Sequence, residues 1–523
     1  MKRHTPLLMF VFLAAGAAAQ EAPRKANFTV SKETTYVTGP VGPDGRIDYA
    51  TALNDRLGKG ITPTTNFNVV VWKTFGPKPE GGDGMPAEFF RFLGIEEPPE
   101  KGEYFVDLGK FMRDQLEIED PELREEIDAQ VGRAMRRPWP AKDHPYVADW
   151  LKANPKPLDR LSEGTKRPHY FNPLTPRKEN DGTSSLVSSL LPAVQKCRAT
   201  ATALTARAML RLGEGKTDEA RQDLLACHRL GRHLAHGATL IEGLVGIAIE
   251  AIAQRADVAL LERPELTAKM LQAYRRDLQA LPPMPAAADL VDLGERLSVL
   301  DVVMLVDRKG LGMIEDLAGG VPPNGVLPPG PVKDIDWDPA LRKANRMFNR
   351  LAAAMRTPDR PKREEQLNRF DQELKDLKAG LIGSPEKEQA VANAFLGVGM
   401  TPAARGEVIG NVLICFLMPA VRKVQTAYDR SEQGQRNLHI AFALAAYQRD
   451  YGNYPKTLDA LAPKYLDKVP DDLFTGKPLV YRPAEKGFLL YSFGPNGLDD
   501  EGRWYDDEPR GDDPSIRVPQ PMK

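Results

Sequence analysis

The pattern of apolar and polar positions favours helices over most of the chain. Between residues 362 and 378 the sequence is strongly charged, yet four apolar residues recur in it at helical spacing, namely Leu367, Phe370, Leu374 and Leu377. Such spacing predicts an apolar stripe beneath a solvated helix face. Helices are predicted likewise at 48–57, 86–93, 105–116, 121–135, 146–153, 191–212, 217–236 and 239–261. The fold class is therefore predicted to be mainly α.

Changes in composition along the chain predict its division into regions. Residues 26–180 form a mixed, proline-rich N-terminal region, in which the apolar stretch 68–72 suits either a helix or a buried strand. Residues 184–400 form a helical domain with a proline-rich linker at 319–331. Residues 403–523 form a third region, in which helix signals give way to strand signals. A chain of 523 residues is too long for one hydrophobic core, which agrees with about three domains.

The helices predicted at 191–212 and 217–236 resemble one tetratricopeptide helix pair. Four residues occupy the places of the turn glycine and the small packing residues of that repeat: Gly215, Ala220, Leu224 and Cys227. The resemblance implies a TPR-like array of helical hairpins in the middle of the chain.

The first nineteen residues have the features of a secretory signal peptide. A basic start with Lys2 and Arg3 precedes the apolar run 7–15, and residues 17–19 are the small alanines that a signal peptidase needs. The run is too short to span a bilayer as a helix. We therefore expect cleavage after Ala19 and export to the periplasm, the cell envelope or the medium. No transmembrane span is expected in the mature chain.

Charge and cysteine content narrow the functional classes. Lys and Arg number 71 against 72 Asp and Glu, a net charge of −1, so no nucleic-acid partner is expected. Three cysteines cannot build a disulfide scaffold. Cys197 and Cys227 would lie on opposite helices of the predicted hairpin with an axial offset of about 7–8 Å. Combined with an interhelix gap of about 8–10 Å, that offset exceeds the Cα separation of about 7 Å within which a bridge can form, so both thiols are expected to be buried and free.

The last 120 or so residues carry an ordered series of sequence features. An apolar helical segment at 408–418 precedes a long polar helix, which ends near the YQRDYGNYP stretch at 447–455. The TGKPLVY stretch at 475–481 is typical of a turn that enters a strand, and residues 487–493 alternate like its hairpin partner. The SFGPNG stretch at 492–497 closes the series.

This order resembles the major pseudopilin of type II secretion and the bacterial pilin-like proteins related to it. The resemblance covers about a fifth of the chain. It implies a long helix followed by a small antiparallel sheet, with calcium bound in the loop after 492–497. The upstream part, with its leader and helical middle, resembles large exported bacterial proteins of unassigned function.

The apolar segment at 408–418 differs from the membrane helix of a pseudopilin in position and length. It begins after residue 400, and its 11 residues fall short of the roughly 20 that span a bilayer. We therefore expect this helix to dock on the preceding helical domain. Its predicted buried residues are Val408, Leu413, Phe416 and Leu417.

Acidic residues crowd the end of the chain. Nine side chains with oxygen ligands fall within 496–513, namely Asn496, Asp499, Asp500, Glu501, Asp506, Asp507, Glu508, Asp512 and Asp513. Hard oxygen ligands in a flexible loop suit Ca²⁺, which takes six to eight of them, although the EF-hand spacing is absent. The predicted metal ligands are Asn496, Asp499, Asp500, Asp506 and Asp507. The alternative is a solvated acidic tail.

Two further patterns have weaker links to chemistry. The sequence Gly215-Lys216-Thr217 ends like a phosphate-binding loop, but Leu210 stands where the first glycine belongs and no strand precedes it. A helix-hairpin turn is therefore expected there. His228, His233 and His236 share one predicted helix, and a zinc site would need a supporting ligand set beyond the two on one face. Packed or solvated histidines are expected instead.

The sequence contains no complete catalytic motif, and no catalytic or cofactor-binding residue is predicted. It favours a non-catalytic exported scaffold that acts through protein–protein contacts with partners still to be identified. The alternative is a secreted hydrolase whose dispersed carboxylates meet only in the fold. A cleft holding two carboxyl groups about 5–10 Å apart would favour the hydrolase. A calcium-dependent adhesin is a third interpretation, which differs from the scaffold only in its ligand.

Overall fold

The computed structural model describes residues 26–82, 84–177, 184–189, 191–310, 334–418 and 421–521. Over these residues the protein is mainly helical, with a small three-stranded antiparallel sheet near the C-terminus. The prediction of a mainly α fold with a small C-terminal sheet is thereby confirmed. The predicted signal peptide and the proline-rich linker at 319–331 lie outside the described residues.

Short helices build the N-terminal region: α1 (Tyr49–Leu57), α2 (Phe67–Phe75), α3 (Ala87–Leu93), α4 (Leu108–Asp114), α5 (Pro121–Ala134), α6 (Pro145–Lys152) and α7 (Pro155–Gly164). The middle of the chain contains α8 (Pro192–Gly213), α9 (Thr217–Ala235), α10 (Leu240–Leu261), α11 (Ala268–Gln279), α12 (Ala287–Leu290), α13 (Arg296–Lys309), α14 (Asp338–Met355), α15 (Arg360–Leu381) and α16 (Pro385–Leu396). The last part contains α17 (Pro402–Leu417), α18 (Val421–Tyr451), β1 (Val480–Ala484), β2 (Gly487–Tyr491) and β3 (Ser515–Val518).

Side-chain caps explain where several of these helices begin. Asp48 accepts a hydrogen bond from the Thr51 backbone N–H at the start of α1, and Asn66 accepts one from Asn68 at the start of α2. Each cap satisfies a backbone donor that has no partner within the helix. The apolar stretch 68–72 thus belongs to a helix and not to a strand.

Helix α7 was not predicted, because Pro155 and Pro157 favour a break in the chain. Both prolines lie in the first turn of the helix, where the backbone N–H groups have no helical acceptor. A proline there loses no hydrogen bond, and its fixed φ suits the helix. The same residue type that ends a helix in its interior therefore begins one here.

Helices α8 and α9 form the predicted antiparallel hairpin. Gly215 in the connecting turn has φ +76°, a conformation that favours glycine, and the predicted packing residue Leu224 is fully buried. Cys197 and Cys227 are both buried and free, as predicted. A longer TPR-like array beyond this pair stays a prediction.

Two large hydrophobic cores lie within the described residues. The first core joins α2–α11 with the C-terminal half of α18 and the sheet. The second core joins α1 with α12–α17 and the beginning of α18. Helix α18 therefore contributes to both cores, with Val424 and Tyr428 in the second and Leu438 and Phe442 in the first. Apolar burial on this scale is the main source of stability for such a fold.

Helix α17 docks on the preceding helical domain, where it packs against α14, α15 and α16. Leu413 is buried in the second core, and Val408 and Leu417 pack against it. The predicted burial of Phe416 is wrong, because its side chain is 59% exposed. The buried face of α17 includes Ile409, Gly410, Leu413 and Ile414. Phe416 lies in the last turn of the helix, after these residues.

Among the described residues, one stretch is long and apolar enough to cross a membrane by length and composition. It is Pro402–Tyr451, which includes α17 and α18, and 44% of its most apolar part is buried inside the protein. Core helices of soluble proteins have the same features, so this stretch is weak support for a membrane span.

Candidate metal centre

The acidic residues lie in the connection between β2 and β3, and both ends of that connection are fixed. The predicted hairpin of β1 and β2 is confirmed, with Val480 opposite Tyr491, and β3 continues the sheet on the other side of β2. At the start of the connection, Ser492 Oγ donates to Asp472 Oδ1 at 2.7 Å. At its end, Asn437 Nδ2 of α18 donates to the Pro514 carbonyl at 2.8 Å. We call residues 494–513 the acidic loop.

Three carboxylates meet inside the acidic loop. Asp500, Asp512 and Asp513 each offer an oxygen, and these oxygens lie within 4.8 Å of one another. Asp513 is fully buried, and its Oδ2 accepts hydrogen bonds from the backbone N–H groups of Asp500 at 3.0 Å and Gly502 at 2.9 Å. Asp500 Oδ2 accepts a hydrogen bond from the Asp512 backbone N–H at 3.0 Å. Backbone donors thus hold one oxygen of each of these two carboxylates in place.

Two oxygens of the triad have no hydrogen-bond partner among the described residues. They are Asp512 Oδ1 and Asp513 Oδ1, and both atoms are shielded from solvent. A buried carboxylate oxygen without a partner costs free energy, because it has lost its hydration. Asp512 forms an ion pair with Arg430 through its other oxygen, since Arg430 Nη2 lies 3.8 Å from Asp512 Oδ2. A bound cation would supply the missing partner for both oxygens.

Without a bound cation, the surroundings raise the pKa of Asp512 and that of Asp513. Burial, followed by the charge of Asp500, raises the pKa of Asp513 to about 6. Burial also raises the pKa of Asp512, and the nearby Asp500 carboxylate acts in the same direction. A divalent cation would lower both pKa values again, because it stabilises the ionised carboxylates.

The structure divides the five predicted ligands into two groups. Asp500 belongs to the triad, and Asn496 lies beside it, since its Nδ2 donates to Asp500 Oδ2 at 3.2 Å. The other three make contacts elsewhere. Asp499 accepts from the Tyr491 hydroxyl at 3.0 Å, Asp506 lies 3.5 Å from Arg255, and Asp507 accepts from the Trp504 backbone N–H at 2.7 Å.

The donor set of the triad fits Ca²⁺. It offers hard carboxylate oxygens on a loop, and calcium accepts six to eight oxygen ligands in a flexible geometry. Asp500, Asp512 and Asp513 would hold the ion, and Asn496 lies beside them through the hydrogen bond from its Nδ2 to Asp500. The carboxylates alone supply too few ligands for calcium, so carbonyl oxygens or water would complete the set.

A second cluster of titratable groups lies between helices of the first core, and the sequence did not predict it. His228 on α9 is buried between two carboxylates of α10, with Nδ1 3.0 Å from Glu250 Oε1 and Nε2 2.8 Å from Asp257 Oδ2. Tyr274 of α11 donates to Asp257 at 2.6 Å, and Gln435 of α18 donates to Glu250 at 3.1 Å. The cluster therefore joins four helices.

Charge complementarity holds this cluster together. Burial alone would lower the pKa of His228, but the charges of Glu250 and Asp257 raise it to about 9. Burial acts to raise the pKa of Glu250, but His228 and then Arg232 lower it to about 2. The only sequence signal was the seven-residue spacing of Glu250 and Asp257, which places both acids on one face of α10.

The remaining candidate patterns have structural roles. Gly215-Lys216-Thr217 is the turn of the α8–α9 hairpin, as expected. His233 Nε2 lies 2.9 Å from the Thr165 carbonyl, and His236 Nδ1 lies 2.7 Å from the Arg232 carbonyl. Both histidines therefore contact backbone oxygens, in agreement with packed or solvated side chains. Comparison of the chain with protein-family models, with curated proteins and with solved structures finds no match in any of the three.

Proposed function

We propose that this chain is an exported scaffold protein of the bacterial cell envelope, which acts through protein–protein contacts and carries a calcium-binding, pilin-like module at its C-terminus. The single observation that carries the proposal is the pair of buried oxygens without partners, Asp512 Oδ1 and Asp513 Oδ1, beside Asp500. A solvated acidic tail would not bury carboxylates in this way.

The order of elements supports a pilin-like module. A long helix, α18, is followed by the β1–β2 hairpin and then by the acidic loop, the order that the pseudopilin resemblance implies. The module is not a free appendage, because α18 packs against α10 and α11 of the helical domain. A rigid module of this kind suits a scaffold, since it presents its loop at a fixed place on the surface.

The acidic loop also presents an apolar side chain to solvent. Leu498 is 66% exposed and lies two residues before Asp500. Calcium at the triad would order the loop and so hold Leu498 in one position. An exposed leucine on an ordered loop is the kind of contact that a protein partner buries.

Calcium binding is tested by the melting temperature of the chelator-treated full-length mature protein. We expect the melting temperature to rise with calcium concentration, because a ligand that binds only the folded state stabilises it. Magnesium should have a smaller effect, since it prefers tight octahedral sites and retains its water. An unchanged melting temperature in millimolar calcium would refute the metal site.

Partner binding is tested separately, by affinity capture from the native envelope fraction with and without chelator. We expect specific partners to be lost on chelation and with Asp513→Asn, but retained with the matched control Asp506→Asn. Asp506 lies on the same loop but outside the triad. If capture is the same in all four samples, the acidic loop is not the contact site.

The hydrolase alternative finds some support in one cavity. A cleft of about 400 Å³ between α10, α18 and the C-terminal residues is lined by both Asp506 and Asp507. Each of these carboxylates lies close to an arginine, Asp506 to Arg255 at 3.5 Å and Asp507 to Arg517 at 3.6 Å. The two acids of a hydrolase act directly on the substrate, whereas each of these carboxylates is engaged in an ion pair. The scaffold is therefore the better supported function.

A further inference from the structure

A second cavity, far along the sequence from the acidic loop, combines positive charge with apolar walls. It has a volume of about 310 Å³ and lies between the C-terminal half of α9 and the segment 165–172. Its lining contains four cationic side chains, Lys166, Arg167, Arg229 and Arg232. Three histidines also line it, His169, His233 and His236, and burial lowers the pKa of His233 to about 4, so that this ring is neutral near pH 7. None of the described residues that line it is an aspartate or a glutamate. The volume lies within the range of small-molecule sites.

Two guanidinium groups of this cavity have no carboxylate partner within the described residues. Arg167 donates to the backbone carbonyls of Pro63 at 2.7 Å and Asn66 at 2.9 Å. Arg229 is half-buried and forms no hydrogen bond or ion pair in the described part of the chain. An arginine stays charged at any physiological pH, so both positive charges remain without a directly paired carboxylate, although Asp277 and Glu163 lie near enough to Arg229 to act on its charge.

A third guanidinium adds a buried donor. Arg232 lines the same cavity and is 6% exposed. Its Nη1 donates to the Pro282 carbonyl at 2.7 Å and its Nη2 to Glu250 at 3.4 Å, but its Nε has no partner among the described residues. A buried charged donor without an acceptor is costly, because the desolvation of the group is not repaid.

The pKa shifts agree with this picture. Burial lowers the pKa of Arg167 and that of Arg229, and for Arg229 this effect exceeds the opposing influence of Asp277 and Glu163. Glu242 lies behind the wall of the cavity, where it accepts hydrogen bonds from Tyr170 at 3.3 Å and Asn172 at 2.9 Å. Burial raises the pKa of Glu242, and the hydrogen bonds from Asn172 and Thr239 act in the opposite direction.

We propose that this cavity binds a small molecule that carries an oxyanion, either a phosphate or a carboxylate group, on an apolar or aromatic body. Arg229 and Arg167 would bind the oxyanion, because planar guanidinium groups match both anions with paired hydrogen bonds. The apolar body would contact Ile61, Tyr170, Phe171 and Pro282, which line the same space. The proposal does not depend on the calcium site or on the scaffold function.

The test is isothermal titration calorimetry of the full-length mature protein with three probes of similar size. Phenylphosphate and benzoate carry the two oxyanions, and benzyl alcohol is the neutral control. We expect one or both anions to bind and benzyl alcohol not to bind measurably. Tighter binding of phenylphosphate assigns the site to phosphates, and tighter binding of benzoate assigns it to carboxylates.

Variants then locate the binding site. Arg229→Gln should weaken anion binding by about 10- to 100-fold, since it removes a charge-assisted hydrogen bond, and Arg229→Lys should lose less because it keeps the charge. The matched control is Arg198→Gln on α8, an exposed arginine that does not line the cavity. It removes the same net charge and should leave binding unchanged.

Two outcomes would overturn the proposal. One is that neither anion binds at millimolar concentration, or that benzyl alcohol binds as tightly as the anions. The other is that Arg229→Gln and Arg198→Gln weaken binding equally, which would indicate a nonspecific effect of net charge. Circular dichroism without ligand identifies a misfolded Arg229→Gln protein, and in that case Arg167→Gln takes its place under the same criteria.

Discussion

The acidic loop and the His228 cluster are both dense in titratable groups, but they differ in how the charges are balanced. In the cluster each carboxylate of α10 has a cation or a donor beside it, and His228 lies between Glu250 and Asp257. In the loop three carboxylates face one another, and two of their oxygens lack a partner among the described residues. Glu250 Oε2 of the cluster also lacks a hydrogen-bond partner in the described part of the chain, but a protonated His228 would balance the charge there, whereas the three acids of the loop share one arginine at 3.8 Å.

This difference shows what a dense charge pattern in a sequence can mean. Acids that are crowded along the chain share a loop, so they repel one another and favour an added cation. Acids that are distributed over a helix can each meet a partner from another helix. The cluster therefore suits a role in stability, and the loop is the proposed binding site. Each prediction below tests one side of this comparison.

The largest effect is expected from removing the histidine of the cluster. His228→Leu leaves Asp257 buried without its cation and Glu250 with Arg232 as its remaining cation, and breaking a buried pair typically costs about 3–5 kcal/mol of folding stability. The measurement is urea-induced unfolding of the full-length mature chain. The matched control is His236→Leu, an exposed histidine at the end of the same helix, which should change the midpoint little. Equal midpoints for both variants would contradict the role of the cluster.

The stability of the cluster should also depend on pH, with a sign fixed by His228. Its pKa is raised from 6.5 to about 9 in the folded protein, so protonated His228 stabilises the fold fully below pH 6.5, and this contribution is lost as the pH rises through 9. Melting curves of the wild type and His228→Leu should therefore converge between pH 6.5 and 9. A constant difference over this range would be inconsistent with the ion pairs.

At acid pH, the stability that the cluster contributes depends on the ionisation of Glu250. Its pKa is lowered from 4.5 to about 2, so its contribution is present above pH 4.5 and is lost as the pH falls through 2. The wild type should keep the stabilising effect of the cluster at pH 5, and Glu250→Gln should reduce it there.

An intermediate effect is expected for Asp513→Asn in the acidic loop. Without calcium the substitution should not lower stability near neutral pH, because an asparagine oxygen can accept the same two backbone hydrogen bonds and the variant avoids the cost of ionising a buried carboxylate. With calcium at 100 times its dissociation constant, the wild type should gain about 2.7 kcal/mol, and the variant should gain much less. Thermal melts with and without calcium measure both effects. A full calcium response in the variant would exclude Asp513 as a ligand.

The calcium response should increase with pH. The pKa of Asp513 is raised from 3.8 to about 6, so ionisation of this group costs folding stability above pH 6 when no cation is bound. Calcium removes that cost. The gain in melting temperature should therefore be larger at pH 7.5 than at pH 5, and a reversed order would argue against a carboxylate site.

The smallest effect is expected for Asp506→Asn. Asp506 and Arg255 are each about half exposed, with 3.5 Å between their charged atoms, and such a pair contributes about 0–1 kcal/mol. Neither the denaturation midpoint nor the calcium response should change appreciably. Loss of the calcium response in this variant would indicate that Asp506 is a calcium ligand, as the sequence predicts.

The sequence predicted the regular elements well where local signals were strong. Helices α8, α9 and α10 follow helical sequence signals, and the β1–β2 hairpin follows its turn residues. It did not predict α7, because a proline pair has opposite meanings at the start of a helix and within one. Nor did it predict β3, whose four residues lie after the acidic loop and pair with β2 only in the folded sheet.

The candidate site was predicted in position but not in composition. Composition locates the acidic loop, and Asp500 was among the predicted ligands. Asp512 and Asp513 were noticed as part of the acidic stretch, but only backbone geometry distinguishes them from Asp506 and Asp507. Turns bring residues 500, 512 and 513 together over a dozen positions, and no local pattern encodes such a contact.

The shared membership of α18 in both cores has a consequence for the order in which the chain folds. The first core needs residues from 67 to 518, and the second needs residues from 47 to 428. Neither core can close until α18 has been synthesised, although domains usually fold in turn as the chain emerges. Both cores therefore stay incomplete until about the last hundred residues have been synthesised. A chain cut short before α18 would expose apolar side chains of both cores to chaperones and proteases.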